Sequence, residues 1–363
     1  MKAIVVLAAV ALTACAGTSP AASTSVQPVA SASPSIGPSP MPTPSLSATP
    51  DVAESSLGLS LTCKLPVTWV VNQNNHEITK TGFVTFPGQA LVEEATPAGS
   101  VFYDRAFAKW LPVWRNSVSP DGTRYAYSKL AGNAYQNTGS ALHVVSVATG
   151  ADRVIYSGSG AYSVVDFETE GVYLTAAVPE GYPRGLWLQS LTGGQPRLIS
   201  SVIVAPAIGG GAAWGLDFNK ADPSPAPGGL EGPMNRILRY DLRSGTATPS
   251  FYRAGASLYV VGFDASGLPL VRASVGPSST DPAGLQATEV WLLTSSAGAT
   301  RFYSATDVQS PSHVAAVDSH GVWFDAPYYS ASASTVWLYA GGSIHVVAVV
   351  NRGDVAVAGG CIP

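Results

Sequence analysis

The stretch LWLQSLTGG, Leu186 to Gly194, decides how this chain folds, because its pattern returns four more times. It recurs as LHVVSVATG from Leu142, ILRYDLRSG from Ile237, VWLLTSSAG from Val290 and, shortened, VWLYAGG from Val336. Each copy begins with strand-forming residues, ends in a glycine turn, and is followed by a second short strand: DRVIYS, QPRLIS, TPSFYR, TRFYSA and SIHVVA. The copies start 44, 51, 53 and 46 residues apart, close to the roughly 40 to 50 residues of a four-stranded propeller blade. Two further strands precede each copy. The inner ones are RNSVSPDG, YSVVDFETEG, VIVAPAIGGG, LYVVGFDASG and HVAAVDSHG, and their partners TRYAYSK, VYLTAAV, AAWGLDF, LPLVRAS and VWFDAP. The turns between them are often Asp with a nearby Gly, which supplies the positive φ that a hairpin reversal needs. Five complete blades follow, with strands A to D running outward.

Composition agrees. Of 363 residues 46% are hydrophobic and only 12% charged, with 28 prolines and 37 glycines. That suits an all-β chain of short strands and many turns. With 19 Lys plus Arg against 23 Asp plus Glu the net charge is −4, and no basic patch points to nucleic acid.

Met1-Lys2 and the apolar run AIVVLAAVAL form the core of an export signal, too short to span a bilayer. The run ends in Leu12-Thr13-Ala14-Cys15, which resembles the lipobox of bacterial lipoproteins. The resemblance implies that residues 1–14 are a signal peptide and that Cys15 becomes the lipidated N-terminus, held on the extracytoplasmic side of a membrane. Residues 16–58, within the segment 15–58 that begins at Cys15, are almost entirely Ser, Thr, Pro, Ala and Gly, with no charge before Asp51. Such a segment cannot bury enough apolar surface to offset its ordering entropy, so a disordered stalk spanning roughly 35 to 40 Å is expected. The folded domain is expected over 59–363.

VSPDGTRYAY, Val118 to Tyr127, resembles the Ser-Pro-Asp-Gly signature of TolB-like and prolyl-peptidase-type propellers, WD40-like in its repeat. YDRAFAKWLPV, Tyr103 to Val113, is similar to a feature of exported bacterial propeller lipoproteins. The chain has no room for the α/β domain that precedes a TolB propeller, and no hydrolase domain follows, so the resemblance implies the fold and not an activity.

The two ends supply a sixth blade. Val355 to Ala358 is one more inner strand, and LPVTWVV, TKTGFVTFP and QALVEEA are the other three. A blade split between the termini closes the ring without an open edge. Six blades are expected, with seven as the alternative. Cys361 then ends strand A and Cys63 begins strand B, where other blades have their Asp-Gly turn. A disulfide there replaces the missing connection, the other possibility being two unpaired buried thiols; export favours the bridge.

Catalytic patterns are sparse. There is no Gly-x-Ser-x-Gly elbow, and Gly209-Gly210-Gly211 leads into a strand, not a phosphate-binding helix. His76, His143, His313, His320 and His345 share no ligand spacing, so neither metal nor cofactor is expected. Asp166, Glu168 and Glu170, and the pair Glu93 and Glu94, read as solvated charge. Trp187, Trp291 and Trp337 recur at one repeat position and read as packing between blades. His143 takes that position in its own copy. Arg352-Gly353-Asp354 spells an adhesion tripeptide but reads as a hairpin turn.

Length varies mainly in the B–C loops, all on one face together with the D–A connections. Long loops on one face of a rigid scaffold are where binding usually resides. Tyr182, Asp217, Asn219, Lys220, Asp222, Tyr328 and Tyr329 are the candidate ligand-binding residues. The expectation is a monomeric, membrane-anchored binding module for an envelope protein or glycan. The alternative is a lyase or hydrolase with polar residues at the channel mouth.

Overall fold

The computed structural model describes residues 52–54, 60–73, 76–88, 90–132, 138–177, 183–217, 234–275, 287–294, 298–306, 310–325 and 333–363. Residues 1–14, expected to be a signal peptide, and Cys15 lie outside them. The fold is all-β. Its antiparallel strands follow one another as meanders, each strand bonded to the next in sequence.

The first sheet holds Arg124–Ala131, Gly139–Ser146 and Asp152–Gly158. The second begins Tyr162–Glu168, Gly171–Ala176, Arg184–Gln189. Arg197–Gly209 is its outer strand and also the inner strand of the third sheet, which continues Ala212–Asp217, Arg236–Asp241, Ala247–Tyr252. The fourth is Ala256–Phe263, Pro269–Val275, Ala287–Leu293, Ala299–Ala305. The fifth is His313–Asp318, Gly321–Asp325, Ser334–Ala340, Ser343–Val350. The terminal sheet joins both ends of the chain in the order Ala356–Val357, Cys63–Gln73, His76–Phe86, Leu91–Glu94.

The repeat is kept to the single residue. In five sheets the last strand of the meander and the one before it share one equivalent register shift, after Leu142, Leu186, Ile237, Val290 and Val336, the second sheet having another between Arg184 and Leu186. Each of those five residues is at most 1% exposed. A bulge bends a strand and sharpens its twist, so an identical bulge gives each sheet the same curvature and lets one pack on the next. Inner strands carry their own shift, after Val164, Val204, Val260 and Val314.

No single core serves the whole chain; apolar clusters lie between neighbouring sheets. Leu142, Phe167 and Leu174 join the first and second, and Leu186, Ile203 and Ala213 the second and third. Leu216, Leu258 and Val271 join the third and fourth, Leu270 and Phe324 the fourth and fifth, and Leu65, Trp323 and Val357 the fifth and terminal. Inner strands neighbour one another in the same succession, from Arg115–Ser117 through Tyr162–Glu168 to Ala356–Val357. At Gly262 the approach is so close that a Cβ would meet the Val314 side chain at 2.4 Å, which no larger residue tolerates.

Three features depart from the sequence reading. RNSVSPDG is not a ladder strand: Arg115–Ser117 is a 3-10 turn, followed by a single bridge between Val118 and Tyr125. Its backbone groups are satisfied locally, Val118 N donating to Arg115 O and Ser119 N to Arg124 O, while the Ser119 hydroxyl donates to the Asp121 carboxylate. The hydrogen bonds from Ser119 and Thr123 draw the Asp121 carboxyl down to about 2, so the Ser-Pro-Asp-Gly turn is a carboxylate-centred knot with Gly122 at φ +68°. Second, Val52–Glu54, inside the stretch read as stalk, pairs with Val350, Val349 and Ala348 on the outer edge of the fifth sheet.

Third, YDRAFAKWLPV forms a hairpin, Phe102–Asp104 with Lys109–Leu111. It wedges the terminal sheet to the first. Phe83, Tyr103 and Trp110 meet pairwise with ring centroids 5.3 to 5.9 Å apart, Tyr103 N donates to Ala358 O at 2.7 Å, and Lys109 Nζ donates to Val147 O.

Cys63 and Cys361 are bonded, with Cα atoms 5.7 Å apart. Both are buried. The buried Asp318 carboxylate accepts from Cys361 N and from Trp323 Nε1, at 2.7 and 2.8 Å, tying the last residues of the chain to the fifth sheet.

Candidate functional site

Strand direction alternates, so the second-to-third-strand loops and the connections between sheets emerge on one face. Of the seven residues proposed there from sequence, Tyr182, Asn219, Lys220, Asp222, Tyr328 and Tyr329 lie outside the described residues. Asp217, named among the ligand-binding candidates, is described. It is 6% exposed and forms an ion pair with Arg236 across the base of the long loop of the third sheet.

The same arrangement recurs at the bases of two other loops, which sequence reasoning missed. Glu289, 3% exposed, begins the third strand of the fourth sheet. It accepts two hydrogen bonds from Arg253, at 3.0 and 3.1 Å, one from Arg301 at 3.0 Å and one from Trp291 Nε1 at 2.9 Å. Burial pushes its carboxyl up, and these donors more than reverse that, holding it below the ordinary glutamate value. Asp325, which like Asp217 ends the second strand of its sheet, accepts from the Ser312 hydroxyl at 3.3 Å and has His313 Nδ1 3.6 Å away. Aligning the repeats would have placed Asp217 and Asp325 at one position; no local pattern announces that either is buried.

Away from this face, the three acids read as solvated behave differently from one another. Asp166 and Glu168 project from the inner strand Tyr162–Glu168, two residues apart and so on one side. Burial first, and the neighbouring Glu168 second, push the Asp166 carboxyl up to about 7, against opposing help from Phe167 N–H and Arg115. Glu168 is raised by burial and by Glu170. Glu170 is exposed and accepts from the Tyr173 hydroxyl at 2.7 Å. Asn116, opposite, donates to Val165 O at 2.6 Å and so ties the 3-10 turn to this strand. Glu93 pairs with Lys80 at 2.7 Å, and Glu94 accepts from Trp110 Nε1 at the same distance.

The tryptophan column packs toward the preceding sheet. Trp187 joins the cluster between the first and second sheets, and Trp291 and Trp337 meet Phe251 and Tyr303 with centroids 5.4 and 5.5 Å apart. His143, in their place, stacks on Tyr127 at 4.5 Å and bonds the Asp152 carboxylate at 3.0 Å. A shallow cleft between the hairpin and the first sheet is lined by Pro97, Lys109, Trp110, Pro112 and Tyr125. Among the described residues no three His, Cys, Asp or Glu side chains converge as a metal site would require.

No family model matches the chain, and no curated protein matches it. Similar solved structures include TolB from Acinetobacter baumannii, at 13% identity over 82% of this chain and 67% of that one, with a TM-score of 0.45. Oligogalacturonate lyase from Vibrio parahaemolyticus is similar at 10% identity over 83% and 92%, with a TM-score of 0.47. An oligogalacturonate lyase in complex with manganese is similar at 11% identity over 84% and 92%, with a TM-score of 0.46.

Proposed function

We propose that the chain is a six-bladed β-propeller, its last blade shared between the termini, tethered outside a membrane through lipid on Cys15. It acts as a binding module for an envelope protein or glycan through the face that carries the long loops. The blade count is supported by the five repeated register shifts together with the terminal sheet. The binding reading rests on one observation: the bases of three long loops are held by buried carboxylates, Asp217, Glu289 and Asp325, each meeting a cation or hydroxyl from a neighbouring strand. Loops of uneven length on stiffened bases form a surface that is variable in chemistry and constant in position, which is what recognition needs.

The test is capture from envelope extracts by the full chain carrying Cys15→Ser, compared with the same chain bearing Tyr328→Ala and Tyr329→Ala, or Lys220→Ala and Asp222→Ala. Loop variants are expected to lose at least tenfold in affinity for the captured component at unchanged melting temperature. Equal capture by all variants would place binding elsewhere.

The tether has its own test. Wild-type protein is expected in the membrane fraction with lipid mass on its N-terminal peptide, and Cys15→Ser is expected to be released or misprocessed. Membrane association that survives the substitution with no lipid mass on the wild-type peptide would refute the anchor.

A second reading is favoured by Asp166. A partly buried carboxyl titrating at about 7 retains a proton near neutrality, the property of a general acid. With Glu168 beside it on an inner strand, it is the polar group that the enzyme reading calls for.

A further inference from the structure

The fourth sheet carries a cation that its own side chains do not neutralise. Arg272 sits in the middle of Pro269–Val275, partly buried, in a row that crosses the sheet: Tyr259, Arg272, Val290 and Tyr303 are directly opposite one another. Residues in such a row project from the same side of an antiparallel sheet. That side faces the fifth sheet, because Leu270, two residues along from Arg272, packs with Val322 and Phe324 and against Trp337. Tyr303 meets Trp337 edge to face. The Arg272 guanidinium, the phenols of Tyr259 and Tyr303 and the Trp337 indole therefore share one inter-sheet space.

Two of the donors in that space have no acceptor among the described residues. Arg272 Nε and Trp337 Nε1 are both buried, and neither donates to a described protein atom. None of the ion pairs among the described residues includes Arg272, whereas Arg236, Arg253 and Arg301 each meet a buried carboxylate. Burial pulls the Arg272 pKa below the ordinary arginine value, with the two tyrosines opposing it. The matching position in the first sheet, opposite Leu142, is Ser128, whose neutral hydroxyl is satisfied by Tyr162 O of the next sheet. Packing alone thus does not call for a guanidinium here. Arg272 is partly buried with its Nε fully enclosed, and a half-desolvated cation without a counter-charge costs more than a leucine or methionine of similar volume in the same space. Arginine also offers a planar fork that matches an oxyanion.

We propose that Arg272 and Trp337 form the donor wall of an oxyanion site between the fourth and fifth sheets, which takes a carboxylate or sulfate group, free or carried by an acidic sugar. Arg272 supplies the charge and Trp337 a neutral N–H. The aromatic rings beside them suit the apolar face of a sugar ring. This site is separate from the long-loop surface and stands whether or not that surface binds anything.

The full chain carrying Cys15→Ser is titrated with sodium sulfate, acetate and glucuronate at constant ionic strength, chloride being the balancing ion, with melting temperature as the readout. A saturable rise with at least one of the three is expected; tighter saturation by glucuronate than by the small ions identifies a sugar acid as the natural source, and equal saturation a free anion. Arg272→Leu is expected to abolish the saturable response and, without oxyanion, to melt at the wild-type temperature or above. Should that variant not fold, Arg272→Lys and Trp337→Phe keep charge and packing respectively and are expected to weaken saturation about tenfold and several-fold. The proposal is overturned if no oxyanion gives a saturable rise in the wild type, or if the rise persists undiminished in Arg272→Leu or in Arg272→Lys.

Discussion

Reducing the Cys63–Cys361 disulfide, or replacing Cys361 by serine, is expected to cost about 3 to 5 kcal/mol of unfolding free energy. The bridge joins residues 298 apart in sequence, and closing a loop of that length restricts the unfolded chain by roughly 5 to 6 kcal/mol on the chain-entropy view, an upper figure because real unfolded chains keep some structure. What remains after reduction is modest. The end of the chain is held to Cys63–Gln73 by the short ladder that pairs Val357 with Val67 and Ala356 with Thr68, by backbone bonds from Ala358 N to Pro66 O and reciprocally between Lys64 and Ile362, and by Asp318 gripping Cys361 N. Every other sheet has a covalent turn at this place. The terminal sheet should therefore open first. Denaturant unfolding with and without reductant measures the loss, and limited proteolysis should cut residues 63–100 before the rest. Unchanged stability on reduction, with no early cleavage there, would mean that the hairpin Phe102–Leu111 and Asp318 close the seam without the disulfide.

The second large effect is a fall in stability as pH rises from about 4 to about 7. Asp166 has its folded-state pKa raised from 3.8 to about 7, so across this window the folded chain keeps a proton that the unfolded chain has already released. The contribution is fully present below the unfolded value and is lost as pH passes the folded one. The full difference corresponds to about 4 kcal/mol, and partial exposure of the side chain reduces the expectation to about 3. Glu168, shifted in the same direction, adds to the slope. Asp166→Asn should therefore flatten the profile without levelling it, and at pH 8 the variant should be the more stable protein. Below pH 4 the trend reverses as Asp121 and Asp241, each held near 2 by turn hydrogen bonds, take up protons. Identical profiles for wild type and Asp166→Asn between pH 4 and 8 would show that this carboxyl is solvated after all.

Turns and sheet order were legible because they are local. The five copies around Leu186, the Asp-Gly reversals and the hydrophobic alternation each depend on residues a few positions apart, and the terminal strands could be joined because a composite sheet satisfies the same pattern. Even the Cys63–Cys361 pairing followed from placing two strand ends side by side. The first sheet's inner segment departs from a ladder strand because Pro120 has no N–H to give a neighbour and the Ser119 hydroxyl accepts from Arg124 N locally, which alternation alone does not reveal. The role of the Tyr103 to Val113 stretch depends on aromatic contacts with Phe83, some twenty residues earlier in the chain, which no local pattern announces.

By itself the sequence determined an all-β chain of repeated strand-and-turn units and the loops that differ in length. Only the tertiary structure decided which charges are buried and what meets them. Asp166 and Glu170 are four residues apart, yet one is pushed to about 7 and the other is exposed against a tyrosine. Glu289 is anchored by Arg253 from 36 residues away, while Arg272 has no such partner among the described residues. Periodicity records which side of a strand is apolar. The cost of a charge depends on the groups that other strands bring to it, and those meet only when the sheets pack.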